Sequence, residues 1–507
     1  MSPAAAPRYR ILFAASEAWP LIKTGGLADV AGALPVALKA RHHDIRLLLP
    51  AYPQARATLE KPRPAGHFTL GGYAVELVRG RLPGTPVPVW LVGCPALFER
   101  PGNPYLGPDG LPWPDNAQRF ALFDRVIAHL VGTASPWRWQ ADMLHLHDWQ
   151  TGLVPALLHG QTTRPACVFT IHNLAYQGRF GYSTFATLGL AEDLWTHEGL
   201  EFHGDMAFIK GGLAFADRLN TVSPGYAREI MTPDFGYGLD GLLRHRKARL
   251  SGILNGIDTR AWNPAHDPHI ASPYNARRLG DKTANKTALQ RALGLKVDAD
   301  ALLAGNVGRM VEQKGIDLLC ETLPAMMERG IQLVVLGSGE ARFEERLQYL
   351  ARQYPGQVAV RIGYNEALAH RIEAGSDLFL MPSRFEPCGL NQLYSLRYGT
   401  LPLVHRVGGL ADTVIEKGDK ATDNGFVFDA PHGEALLAAL DRALALWAKP
   451  TAWRRRQRNA MRADHSWRHS AMEYETLYAR ALADRQAEQS AMELARRGKT
   501  VLAPQTV

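Results

Sequence analysis

Residues 10–29 read RILFAASEAWPLIKTGGLAD. The run Arg10 to Ala14 has the length and apolar content of a buried strand, and Lys23-Thr24-Gly25-Gly26-Leu27-Ala28-Asp29 then turns the chain into a segment of helical period. Strand, glycine turn and helix form the first step of a parallel sheet with crossover helices. Paired glycines let a backbone approach a ligand closely, and a helix start offers unpaired N–H groups, which together suit a phosphate. In isolation the same residues fit a plain glycine turn with a solvent-facing lysine equally well. Their place beyond the first strand favours the phosphate, because open α/β sheets bind ligands at the carboxyl ends of their strands.

The pattern repeats outward from this stretch. Strands are expected at Ile45 to Leu49, Pro88 to Val92, Met143 to His147, Ala166 to Thr170 and Arg218 to Val222. The rhythm restarts at Leu302 to Val307 and continues at Gln332 to Leu336, Val358 to Ile362, Asp377 to Met381 and Leu401 to His405. Between the two sets, Asn255 to Pro268 is rich in Gly, Asp, Asn and Pro and reads as a linker. The expected class is α/β with two Rossmann-like domains, residues 1–256 and 257–466. Residues 467–507 are expected to form a helix returning towards the first domain, ending in a mobile tail.

A chain of 507 residues is long for one core, and 46% hydrophobic with 21% charged residues is globular composition. The net charge of +8 favours anionic partners. The basic runs Arg244 to Arg249 and Arg454 to Arg458 lack interleaved aromatics, so they read as solvated helix faces, and no nucleic-acid partner is expected. Cys94, Cys167, Cys320 and Cys388 have neither zinc-site nor disulfide-framework spacing, which fits a reducing cytosol. The first strand is reached by about Arg8, which leaves no room for a signal or transit peptide ahead of it, and no apolar run spans a bilayer. A soluble cytoplasmic protein without a membrane partner is expected, and the oligomeric state stays open.

Further chemistry sits at the ends of the other strands. Gly308-Arg309 closes the opening strand of the second set, and Lys314-Gly315 stands just ahead of a helix. A planar guanidinium and a point-charge ammonium beside helix N–H groups suit a diphosphate, although a surface lysine on an ordinary helix is the commoner meaning of such a pair. Pro382-Ser383-Arg384-Phe385-Glu386-Pro387-Cys388-Gly389-Leu390 places Glu386 ahead of the next helix, where a carboxylate can bind sugar hydroxyls or simply favour the helix dipole. His145, His147 and Asp148 share a strand end, but no further ligand cluster completes a metal sphere. Gly337-Ser338-Gly339 has Arg342 where a dinucleotide fingerprint needs glycine, and Glu493 stands where a phosphate loop ending at Gly498-Lys499-Thr500 needs its first glycine.

Taken together, Lys23 to Leu27, Thr170-Ile171-His172-Asn173-Leu174-Ala175-Tyr176-Gln177-Gly178, Asn255-Gly256-Ile257-Asp258, Gly308-Arg309 with Gln313-Lys314-Gly315, and Glu386 to Leu390 resemble the bacterial glycogen and plant starch synthase family. The likeness runs from about Arg10 to about Tyr478. It implies a GT-B fold, two Rossmann-like domains facing across a cleft, with the first on the acceptor side and the second binding the nucleotide-sugar donor. It also implies ADP-glucose as donor substrate, glycogen or another α-1,4-glucan as acceptor, retention of configuration, and neither cofactor nor metal.

By the same resemblance Arg309 and Lys314 hold the donor diphosphate, with Lys23 serving it from the first domain. Glu386 contacts the transferred glucose, His172 lies near its hydroxyls, Tyr364 stacks on adenine and Asn255 touches the sugar. Gly25, Gly26, Asp29, Tyr105, Asp148, Asn173, Cys388, Gly389 and Leu390 complete the implied substrate contacts. Asn391 departs from the threonine that many relatives carry after this turn; an amide can still donate a hydrogen bond near the leaving phosphate. Three alternatives stay open: a UDP-glucose or small-acceptor transferase, a pyridoxal-phosphate glucan phosphorylase, and a silent glucan-binding protein. Retention of Lys23, Arg309, Lys314 and Glu386 argues against the last.

Overall fold

The computed structural model describes residues 8–501 except 134 and 136, so the N-terminal lead and the end of the tail expected to be mobile, residues 502–507, lie outside the described residues. The chain divides into two units. One comprises Met1–Val222, Ala227–Ile253 and Trp467–Val507, and the other Ser223–Tyr226 and Leu254–Ser466. The crossing at Ile253 and Leu254 falls just ahead of the boundary read at Gly256, and the short segment Ser223–Tyr226 already belongs to the second unit.

The first unit is built on a nine-stranded sheet. Its strands are β1 (Arg10–Ala14), β2 (Asp44–Pro50), β3 (Glu60–Leu70), β4 (Tyr73–Arg81), β5 (Pro88–Gly93), β6 (Met143–His147), β7 (Ala166–Ile171), β11 (Arg218–Thr221) and β12 (Leu250–Gly252). The small strands β8 (Arg179–Gly181), β9 (Glu201–Phe202) and β10 (Asp205–Ala207) form a separate sheet. The large sheet runs β12-β11-β7-β6-β1-β2-β5-β4-β3. β1 lies inside it, and Ile11, Leu12, Phe13 and Ala14 are fully buried, which is why a continuous apolar run was needed there.

Chain order reverses between β1 and β6, so the loops beyond these two strands sit at a topological switch point. The loop after β1 carries Lys23 to Gly25 and feeds helix α1 (Gly26–Ala40); the loop after β6 begins with Asp148. The helix Trp467–Val501 belongs to this unit through polar contacts along its length. Glu475 accepts from Arg41 and His43, Asp484 from Arg218, and Glu488 from Arg164.

The sequence reading missed the hairpin β3–β4. It is an edge element carrying Pro62 and Pro64 with mostly exposed side chains on β3, so it has no apolar period to read. Its turn was legible: Gly71 and Gly72, both at positive φ, close the hairpin with the backbone that a two-residue connection needs.

The second unit has six parallel strands, β13 (Leu303–Val307), β14 (Gln332–Gly337), β15 (Val358–Ile362), β16 (Leu378–Met381), β17 (Leu401–His405) and β18 (Phe426–Phe428), in the order β15-β14-β13-β16-β17-β18. This is the doubly wound order, with its switch point between β13 and β16. Helix α2 (Ile316–Glu328) follows β13, α3 (Glu366–Gly375) follows β15, and α4 (Asn391–Tyr398) follows β16. Among the described residues no helix is long and apolar enough to cross a membrane.

One buried polar cluster sets a pH dependence for this unit. The Trp262 ring stacks between His370 and Tyr394 with centroids 3.8 Å from each, and Asp267 accepts from His370 at 2.8 Å and from Tyr398 at 2.6 Å. Burial alone would lower the His370 pKa, but its bonds to Asp267 and Glu366 outweigh that and raise it from 6.5 to about 9. A raised folded-state value means that the stabilisation is full below the unfolded value and fades as pH rises through the folded one. Thermal melts should therefore show His370→Gln costing more at about pH 6 than at about pH 9.5. Equal losses at the two pH values would remove the charged His370–Asp267 pair as a stabilising element.

Candidate active site

In the first unit the glycine loop hangs on a residue that the sequence reading passed over, Glu17, just beyond β1. Glu17 is only 3% exposed, and its carboxylate accepts from the Thr24 hydroxyl at 2.9 Å, the Thr24 and Gly25 backbone N–H groups, and Tyr105 Oη at 3.1 Å. Burial pushes its carboxyl above the usual range, and these donors pull it back. Ser16 shares a hydrogen bond with the Tyr105 hydroxyl at 2.7 Å. Lys23 is held by Asp29 at 2.8 Å and lies 5.7 Å from the Trp19 ring centroid. A Cβ on Gly25 or Gly26 would meet nothing within 4 Å, so packing does not demand glycine at either position and the space over the loop is open.

At the end of β6, Asp148 adopts φ 57° and ψ −177°, a backbone conformation that a non-glycine residue rarely takes. Strain of this kind persists only where the surroundings fix it. Asp148 Oδ1 accepts from the His172 N–H at 2.7 Å, and the Asn173 N–H also bonds this carboxylate. Burial raises the Asp148 pKa to about 7, against the pull of those two N–H groups. The His172 ring bonds His147 at 2.9 Å, and burial lowers its pKa to about 3, so it is a neutral imidazole at physiological pH. His145 is bonded to Thr170 and Tyr478 instead. Among the described residues no group of His, Cys, Asp and Glu could hold a metal ion.

In the second unit the switch point gathers the loops after β13 and β16. Lys314 Nζ donates to Glu386 Oε2, which also accepts from Ser383 Oγ at 3.1 Å. Glu386 is 6% exposed, so its carboxylate is largely withdrawn from water, while Lys314 stays partly exposed. The two loops are stitched together further: Arg384 N–H donates to Gln313 O at 2.8 Å, and Gln313 Nε2 donates to Phe385 O at 3.2 Å. Gly315, at φ 70°, makes this possible, because a Cβ there would lie 2.0 Å from Pro382 O. Arg309 is exposed beside Lys314, with Nη2 donating to Gln313 Oε1 at 3.2 Å.

The other positions in this unit are more dispersed. Tyr364 follows β15, is 72% exposed and touches Glu366. Asn255 is buried; its backbone bonds the Cys388 thiol, while its Oδ1 finds no partner. Burial raises the Cys388 pKa to about 12, which makes it a thiol with no nucleophilic character. Gly389 takes φ 71°, and Leu390 leads into α4. Asn391 donates through Nδ2 to Val307 O at 2.5 Å, so one amide proton that the sequence assigned to the phosphate region is engaged with the end of β13.

The family described as "Starch synthase catalytic domain" matches residues 10–245, and "Glycosyl transferases group 1" matches residues 294–460. A glycogen synthase of Cellvibrio japonicus is 56% identical over 478 residues, covering 93% of this chain and 99% of the relative. The chain belongs to the glycogen and starch synthase family. Within that family, glycogen synthase 1 of Methylococcus capsulatus is 55% identical, with 94% and 97% of the two chains covered. The catalytic domain of starch synthase IV from Arabidopsis thaliana, solved bound to ADP and acarbose, superposes with a TM-score of 0.85 at 32% identity, covering 94% of this chain and all of that one. The fold is accordingly the GT-B glycosyltransferase fold, and the family makes the protein a glycosyltransferase.

Proposed function

We propose that the protein transfers glucose from ADP-glucose to the non-reducing end of an α-1,4-glucan with retention at the anomeric carbon, as a cytoplasmic step of glycogen biosynthesis. The observation that carries this reading is the Lys314–Glu386 contact at the switch point of the second sheet, with Arg309 exposed beside it. Two cations there suit a diphosphate, and the carboxylate between strand and helix suits sugar hydroxyls. The glycogen synthase relatives and the ADP and acarbose of the starch synthase IV structure support the choice of nucleotide and acceptor.

In the reaction the bond from C1 of glucose to the β-phosphate oxygen breaks, and a bond from C1 to the acceptor 4-oxygen forms on the same face. The acceptor proton passes to the departing phosphate. Arg309 and Lys314 stabilise the charge that grows on that phosphate, and Lys23 serves the same group. Glu386 orients Lys314 through one carboxylate oxygen and the transferred glucose through the other. Neutral His172 bonds glucose hydroxyls, while Asp148 and Asn173 fix the loop that carries it. Tyr105 holds Glu17 and thereby the glycine loop, Asp29 holds Lys23, and Gly25 and Gly26 leave room for the substrate. Tyr364 offers its exposed ring to adenine. Asn255 and the Cys388–Asn391 turn line the sugar and phosphate. The chemistry calls for neither metal nor organic cofactor, since the chain's own cations carry the phosphate charge.

Incorporation of labelled glucose into glycogen, measured side by side from ADP-glucose and UDP-glucose, tests the reading. Polymer labelled faster from ADP-glucose is expected. Faster labelling from UDP-glucose would overturn the nucleotide assignment, and no labelling from either would overturn the reaction.

A further inference from the structure

The first unit contains a cavity of about 420 Å³ whose wall includes Gln54, Glu99, Arg100, Asn103, Trp113 and Arg119. Arg119 is 1% exposed, so its charge is almost wholly withdrawn from water. Its Nε donates to Leu97 O at 2.8 Å, and its Nη1 donates to Pro104 O at 2.9 Å and Asn116 Oδ1 at 2.8 Å. Among the described residues no carboxylate lies within ion-pair distance of Arg119, and its Nη2 has no acceptor. Arg100, by contrast, is held by both oxygens of Asp115 at 2.8 and 2.6 Å.

A buried guanidinium without a counter-ion carries a desolvation cost that an anionic occupant of the cavity would offset. The remaining wall narrows the class of occupant. Trp113, half-buried, supplies an aromatic face suited to the C–H face of a sugar ring, with its ring centroid 5.2 Å from the Arg100 guanidinium and 5.8 Å from that of Arg119. Gln54 supplies an amide for hydroxyls.

The wall is also bonded to the glycine loop. Asn116, which accepts from Arg119, donates through Nδ2 to Tyr105 O at 3.0 Å, and the Tyr105 hydroxyl donates to Glu17, which carries Thr24 and Gly25.

We propose that this cavity is a second ligand site, separate from the donor site, that binds a small phosphorylated sugar with its phosphate on Arg119 and its ring against Trp113. Isothermal titration of the full chain with fructose 6-phosphate, inorganic phosphate and fructose tests this. Fructose 6-phosphate should bind once per chain, about ten-fold or more tighter than inorganic phosphate, and saturating ADP should not displace it. Fructose should give no binding heat. Arg119→Gln should weaken the sugar phosphate by about ten-fold or more. Trp113→Ala, which removes the half-buried ring of the wall and should leave the fold intact by circular dichroism, should weaken it several-fold. Absence of binding, displacement by ADP, or affinity unchanged in both variants would overturn the proposal. Inorganic phosphate binding as tightly as fructose 6-phosphate would overturn it too, because the sugar would then contribute nothing.

Discussion

Lys314→Ala should lower kcat by about 10²- to 10³-fold, the range found when a preorganised donor to a developing oxyanion is removed. The transferred glucose leaves its electron pair on the diphosphate, so negative charge grows where Lys314 and Arg309 are proposed to lie. A unit charge about 4 Å away is worth roughly 4 kcal/mol at an effective dielectric of about 20, and only the part that strengthens in the transition state accelerates the reaction. Lys314 is held by a largely buried carboxylate, so its ammonium needs little reorganisation when that charge appears. Steady-state kinetics with ADP-glucose and glycogen read the effect. An unchanged kcat would remove Lys314 from the chemistry.

Glu386→Gln should lower kcat by about 10²-fold while leaving the affinity for ADP within a few-fold of the parent. The substitution keeps the shape of the side chain but removes the charge that holds Lys314 and replaces one acceptor with a donor. A loss confined to ADP affinity would make Glu386 a nucleotide contact and contradict its assignment to the transferred sugar. The same residue bears on the mechanism. Retaining glycosidases use a second carboxylate as nucleophile, whereas one oxygen of Glu386 is already engaged by Lys314 and Ser383. Mass spectrometry of the enzyme under turnover should therefore find no glucose attached to Glu386, and a trapped adduct there would replace front-face displacement with a covalent intermediate.

Much of this fold was legible because parallel strands buried on both faces need uninterrupted apolar runs. Arg10–Ala14 and Leu401–His405 are strands of this kind, buried along nearly their whole length. Exposed or very short strands leave no such trace, as β3, with its prolines and charges, and the three-residue β12 and β18 show. At the site, Lys314 and Glu386 could be singled out because strand ends, a glycine and a turn frame them, and they meet in the structure.

Glu17 was not singled out. A lone glutamate in a loop becomes a buried four-bond anchor only when Thr24, Gly25 and Tyr105 converge on it, and sequence spacing does not reveal that convergence. The left-handed backbone of Asp148 was equally invisible, since aspartate occupies that region only rarely. Asn391 can donate to a phosphate by its residue type, yet the carbonyl of Val307 takes one of its amide protons, a contact between distant segments that spacing does not reveal.

The central claim, that Arg309 and Lys314 grip the pyrophosphate of an activated sugar, is tested most directly by a crystal structure of the protein with ADP. The expected result places β-phosphate oxygens within about 3 Å of both side chains. Phosphates bound elsewhere, out of reach of residues 309 and 314, would contradict it.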